Sequence, residues 1–169
     1  GHFPRFHPSD FRVWSEEGVA DDWPIDYRTL EPYYALNDRM MGVAGLAGDP
    51  AYPPKELPLP PVPLGTLGES LARGFNHLGW HWWPSDSAIA TRAYEGRAPC
   101  INLGPCITGC AQGAKASTDI TYWPLAIRRG VELRLGDRLG KPLLPVGRPE
   151  IEHLVAQVRG GRAPFGRAD

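Results

Sequence analysis

Thiols are scarce in this chain of 169 residues, which has only three cysteines, and methionine is scarcer still at two. A dense disulfide framework is thereby excluded. There is no surplus of positive charge: Lys and Arg total 18 against 19 for Asp and Glu, a formal net charge of −1. A protein that displaces counterions from phosphates needs that surplus, so we expect no nucleic-acid partner. No apolar run of about eighteen residues occurs, so we expect no transmembrane segment. The chain opens Gly1-His2-Phe3-Pro4, without an initiating Met or the apolar stretch of a signal peptide. We therefore expect the true N-terminus to lie upstream. Also missing is any G-x-G-x-x-G, the turn that brings backbone close to a dinucleotide pyrophosphate.

What is present describes a loop-rich protein. Hydrophobic residues make up 42% and charged residues 22%, a globular balance. The length allows one domain with a real core. Gly 20 and Pro 19 are spread along the chain and not confined to a linker. The expected class is α+β, irregular, with about three helices and a few short strands. Residues 1–19 carry interleaved aromatics and histidines (His2, Phe3, Phe6, His7, Phe11, Trp14) and read as an irregular packing segment.

Helix signals come next. Asp26 caps a helix over 27–41 that Gly42 closes, with Leu30, Tyr33, Tyr34 and Met40 or Met41 as its apolar face. Pro32 fits only within the opening turns. The stretch 49–63, dense in proline, reads as a stiff crossing loop. Thr66 and Glu69 have capping-box spacing and open a helix over 67–78, with Leu67, Leu71, Phe75 and Leu78 on one face. An aromatic strand-like run, Trp80-His81-Trp82-Trp83-Pro84, follows. A third helix, 120–129, has Ser117 or Asp119 as cap, and Val131–Leu135 alternates as a half-buried strand does. The tail 136–169 is turn-like and rich in Arg, Gly and Pro, with two helical turns expected over 151–158.

The three cysteines stand together as Cys100, Cys106 and Cys110, within the loop 100–113. Bacterial ferredoxins space their ligands with two, two and three residues between them. This loop keeps the first, third and fourth positions and has Leu103 at the second. Three thiolates suit a three-iron cluster better than a four-iron one, since each iron needs a ligand. Gly104, Gly109 and Gly113 would let backbone N–H groups approach sulfide. Other readings stay open at this point. The three could be a disulfide with a spare thiol, three small buried hydrophobes, or three zinc ligands with His81 or His77 as the fourth.

Two blocks carry a family resemblance. Asp22-Trp-Pro-Ile-Asp-Tyr-Arg-Thr-Leu-Glu-Pro-Tyr-Tyr34 resembles the segment of glucose–methanol–choline oxidoreductases that follows their flavin-contacting N-terminal part. The stretch from Cys100 through Gly113-Ala-Lys-Ala-Ser-Thr-Asp-Ile-Thr-Tyr-Trp-Pro124 to Gly130-Val-Glu-Leu-Arg134 resembles the next block. Within the family it is similar to the FAD-dependent sugar and gluconate dehydrogenases, whose flavoprotein subunits carry a three-iron, four-sulfide cluster on cysteines spaced in this way. The resemblance implies FAD as hydride acceptor from a CH–OH carbon, and Cys100, Cys106 and Cys110 as cluster ligands. It also implies a small-molecule alcohol or sugar substrate, a cytochrome c subunit and a small accessory subunit as partners, and a place at the periplasmic membrane face or in the cytoplasm.

The same resemblance limits what can be assigned. The family's FAD-binding fingerprint precedes the matching region, and its catalytic histidine lies far downstream. None of His2, His7, His77, His81 or His153 takes that role, so no catalytic residue is expected here. The likeness covers residues 1–135 and stops before the tail. The expectation is therefore an internal segment, 1–135, followed by a tail, 136–169, of a composition that a GC-rich gene gives in a wrong frame. The rival expectations are a stand-alone iron–sulfur electron-transfer module and a plain flavoprotein alcohol or choline dehydrogenase with vestigial cysteines.

Overall fold

Short extended segments tied by single bridges, not a regular sheet, build the centre of the structure. The computed structural model describes residues 1–133, 137–138 and 141–142, and the chain divides into two units, Gly1–Ser117 and Thr118–Asp169. In the first unit Ala44 bridges both Leu59 and Ser87, His2 also bridges Ser87, and Ile89 bridges Lys115. Backbone hydrogen bonds extend the weave: Phe3 N–H to Asp86 O, Ala88 N–H to Gly1 O, Ala90 N–H to Ala114 O and Ala116 N–H to Ala88 O, all at 2.8–2.9 Å. Proline explains why no ladder grows. Leu59 stands between Pro58 and Pro60, neither of which has an N–H to donate, so its segment can offer one pairing and then stops. The stretch 49–63 is a loop, as expected, with Leu59 as its buried apolar residue.

The core itself is small-grained. Val43, Ala44, Leu59, Ala88, Ala90, Ala114 and Ala116 are buried. Alanine lets crossing backbones approach closely but contributes little apolar area, about 25 cal/mol per Å2 of what it has.

Helix α1 (Val13–Glu17) follows a single 3₁₀ turn, Pro8–Phe11, in the stretch that reads from sequence as irregular. Helix α2 (Tyr27–Met41) has the expected bounds. The Asp26 carboxylate accepts from Thr29 N–H at 2.7 Å and from Thr29 Oγ1 at 2.6 Å. At the other end Gly42 takes φ +62°. There Gly42 N–H reaches Arg39 O at 3.2 Å and Val43 N–H reaches Asp38 O at 2.9 Å, the paired bonds of a Schellman turn. Pro32 lies inside the helix, sixth from its start and so in the second turn.

The buried face of α2 differs from the expected one. Met41 is buried as expected, but Tyr33 is 67% exposed, and Tyr27 and Asp38 are buried instead. The cause is Arg5, itself buried, which donates to Asp38 Oδ2 from Nε at 3.0 Å and from Nη2 at 2.7 Å, and to Tyr27 Oη at 3.2 Å. Its guanidinium also reaches Glu31 at 3.5 Å and lies over the Tyr34 ring. Positions 27, 31, 34 and 38 share one side of a helix, so one buried cation turns that polar side inward.

Helix α3 (Gly65–Leu78) begins before the expected position 67, and its N-cap residue is Leu64 with no side-chain cap bond. The capping box expected at Thr66 and Glu69 does not form, because both residues are already inside the first turns; the Thr66 carbonyl instead accepts from Ser70 Oγ at 2.9 Å. Only Ala72 is buried on this helix, and Leu67, Leu71 and Leu78 stay exposed. The run 80–84 is not a strand. Its indoles turn back instead, Trp82 Nε1 donating to Asn76 Oδ1 at 2.8 Å and Trp83 Nε1 to Leu46 O at 2.7 Å.

In the second unit α4 (Tyr122–Arg128) is shorter than the expected 120–129. Thr121, not Ser117 or Asp119, is its N-cap residue and makes no side-chain cap bond, and Pro124 falls in the first turn as expected. Residues 131–133 are not strand, and the rest of the strand expected over 131–135 lies outside the described residues, as does the helix expected over 151–158. A two-residue antiparallel pair joins β1 (Asp137–Arg138) to β2 (Lys141–Pro142), with Asp137 opposite Pro142 and Arg138 opposite Lys141. Among the described residues no helix is long and apolar enough to cross a membrane.

Candidate functional site

The cysteine loop is planted on one residue of the core. Ala90 O accepts from Cys100 N–H at 2.8 Å, and Ala90 N–H donates to Ala114 O at 2.9 Å, so both feet of the loop stand on Ala90. Cys100 and Cys110 pack against the cluster formed by Ala44, Leu59, Ala90 and Ala114. Cys106 lies farther along, between Gly104 and Gly109. All three are free thiols of intermediate burial. Two glycines flank Cys110 in backbone conformations that a side chain rarely adopts, Gly109 at φ +134° and Gly113 at φ +71°. Gly113 N–H closes back to Cys110 O at 3.0 Å, which folds a tight turn under the sulfur.

That turn aims backbone donors at sulfur. Lys115 N–H donates to Cys110 Sγ at 3.5 Å, and Asn102 N–H donates to Cys100 Sγ at 3.3 Å. The Lys115 N–H is the chief cause of a Cys110 thiol held below its ordinary value; N–H groups of Gln112, Ala114 and Gly113 add to it, while burial opposes. Backbone donors thus meet sulfur at two of the three cysteines, an arrangement that a metal-bound thiolate also uses.

Two side chains brace the loop from within. Gln112 donates from Nε2 to Pro99 O and accepts Ile101 N–H at 3.1 Å, so it brackets Cys100. Lys115 Nζ donates to Cys106 O at 2.7 Å. Gln112 was invisible as a functional residue in the sequence, where its one signal is its place two residues after the last cysteine.

Among the described residues no three His, Cys, Asp or Glu side chains converge as they would around a metal ion. The fit to an iron–sulfur cluster is therefore one of donor type: three thiols on one loop, with N–H groups aimed at two of them, but not a gathered cage. The histidines considered as a fourth zinc ligand sit elsewhere. His81 is 2.9 Å from Asp49 Oδ1 and stacks on Trp83, and His77 is in the last turn of α3. Two shallow clefts open on the first unit, and neither reaches a cysteine. One is lined by Arg12, Tyr27, Arg28 and Glu31 among others, the second by Leu46, Asn76 and residues 80–84.

Comparison with known proteins supplies the chemical class. No family model matches the chain. Its relatives are named as dehydrogenases and oxidases of alcohol- or sugar-bearing molecules, which makes them oxidoreductases. One is 2-methyl-1,2-propanediol dehydrogenase of Mycolicibacterium austroafricanum, 45% identical over 143 residues that cover 82% of this chain and 26% of that protein. Another is the fructose dehydrogenase large subunit of Gluconobacter japonicus, 33% identical over 114 residues, covering 65% of this chain and 21% of that subunit. Paromamine 6'-oxidase of Streptomyces fradiae is 26% identical over 201 residues, covering 96% of this chain and 35% of its own length. The chain spans about a quarter of the length of the first two.

Proposed function

We propose that this chain is a segment of an FAD-dependent oxidoreductase of the glucose–methanol–choline type, acting on CH–OH groups of sugars, sugar acids or other alcohols. We further propose that Cys100, Cys106 and Cys110 ligate an iron–sulfur cluster of the three-iron, four-sulfide kind. The observation that carries the first part is the 45% identity to an alcohol dehydrogenase over 82% of the chain. When bound, FAD would accept the hydride from the CH–OH carbon and the cluster would relay the electrons singly to an external acceptor such as a cytochrome c subunit. The residues of this chain would supply the support for that relay. Cys100 and Cys110 would hold their thiolates against the alanine core, and the N–H groups of Asn102 and Lys115 would spread the sulfur charge.

The test is iron and acid-labile sulfide analysis, with electron paramagnetic resonance, on the chain expressed and purified without oxygen. We expect about three irons per chain, a number set by the three thiolates, and loss of the signal in Cys106→Ala. A colourless, iron-free wild-type protein would overturn the cluster. A second reading has an observation of its own. The open arrangement of the three thiols favours a plain flavoprotein dehydrogenase whose cysteines carry no cluster. Unchanged reduction of a one-electron acceptor by a Cys106→Ala variant of the FAD-loaded parent enzyme would establish it.

A further inference from the structure

The side chains of Gln112 and Lys115 hold the loop beside Cys100 and at Cys106. Gln112 holds the backbone on both sides of Cys100 through Pro99 O and Ile101 N–H. The Lys115 side chain holds Cys106 through the Cys106 carbonyl, while the bond to the Cys110 sulfur comes from the Lys115 backbone N–H. Lys115 is itself fixed, because it bridges Ile89 in the core and is half-buried. A loop of this length with three left-handed glycines, Gly104, Gly109 and Gly113, has little of its own to keep the cysteine positions in register. The two side chains supply that register.

We propose that Lys115, aided by Gln112, is a positioning residue that latches the cysteine loop for a shared cluster, and that its ammonium favours the reduced form of that cluster. The proposal rests on the cluster reading above. The charge argument is elementary. Three thiolates make the loaded site anionic, and each added electron increases that charge. A half-buried cation held on the Cys106 carbonyl offsets the increase more than a solvated one does. A lysine with no such anchor would be an ordinary surface charge.

The experiment compares the full chain with Lys115→Met and Lys115→Arg, first free of metal and then reconstituted anaerobically with ferrous iron and sulfide. In the metal-free chain, amide hydrogen exchange over 99–115 reads the latch. Lys115→Met should speed exchange around Cys106 about tenfold, while Lys115→Arg, which still reaches a carbonyl, should hold it near wild type. In the loaded chain, a redox titration followed by electron paramagnetic resonance reads the charge. Lys115→Met should weaken reduction about tenfold, ~59 mV for one electron, with Arg again close to wild type. If the Met variant does not fold, Lys115→Gln replaces it, being uncharged and polar. A wild-type chain that loads with iron while Lys115→Met matches it in exchange and in potential overturns the proposal and leaves the cluster standing. A wild-type chain that takes up no iron overturns the cluster reading and the charge role with it.

Discussion

Arg5 shows how much can hang on one side chain in a fold with an alanine core. Its guanidinium and the Asp38 carboxylate are 2% and 4% exposed, and they join the first residues to α2. Removing one partner of such a pair leaves the other charged and buried, which costs about 3–5 kcal/mol. Arg5→Met should therefore lower stability by that much in urea unfolding, and Arg5→Met with Asp38→Leu should recover most of the loss. Leu59 matters for a different reason. It is one of the two largest fully buried side chains among the described residues, and both Cys100 and Cys110 pack against its cluster. Leu59→Ala should cost about 2–5 kcal/mol, and faster alkylation of Cys100 and Cys110 in the folded state would report the opened core. The three cysteines were legible from sequence because a rare residue in a tight cluster is conspicuous. Arg5 was not, because a single arginine among aromatics has no spacing that shows it will be buried.

At the scale of elements, local signals decided what was legible. Both ends of α2 were readable because Asp26 and Gly42 act within one turn of themselves, and the structure uses both. The Thr66 signal was equally local but misled, since α3 starts two residues earlier, from Leu64. Its competitor was a backbone path set by the proline-dense crossing loop, which no capping rule sees. The Asp26 cap also has a pH signature. Thr29, through its hydroxyl and its N–H, holds the Asp26 carboxyl below its ordinary value of 3.8. A depressed carboxyl contributes stability above the unfolded value that is lost as pH falls through the lower, folded one. Helical circular dichroism and urea midpoints should accordingly decline below pH 3.8 in the wild type. Asp26→Asn, a neutral cap of similar quality, should flatten that part of the decline.

For the whole molecule, the exposed apolar surface is the informative quantity. Leu67, Leu71, Leu78 and Trp80 are each more than half exposed, and the first three line α3. A stripe of that kind drives association when nothing covers it. The chain on its own should run larger than its 18.6 kDa mass in light scattering, and Leu67→Glu with Leu71→Glu should return it toward that mass. The periodicity of α3 was readable from sequence, but whether its apolar face is covered was not. Amphipathic spacing says only that one face prefers to be buried. The bridges of the core were unreadable for a related reason, since pairings such as Ala44 with Ser87 or His2 with Ser87 join residues whose neighbours carry no alternating pattern.

Those bridges also fix an order of events on the ribosome. Gly1 and Phe3 find their backbone partners at Ala88 and Asp86, Ala44 finds one of its own at Ser87, and Ala88 and Ala90 wait in turn for Ala116 and Ala114. Chains emerge at about 5–20 residues per second, so Gly1 and Phe3 wait about 4–17 s for Asp86 and Ala88, and Ala116 follows Gly1 by about 6–23 s. During that interval the nascent polypeptide presents unsatisfied backbone edges, a natural target for a holding chaperone. Translation pauses before residue 116 would lengthen the vulnerable period, whereas pauses after it would be harmless to this core.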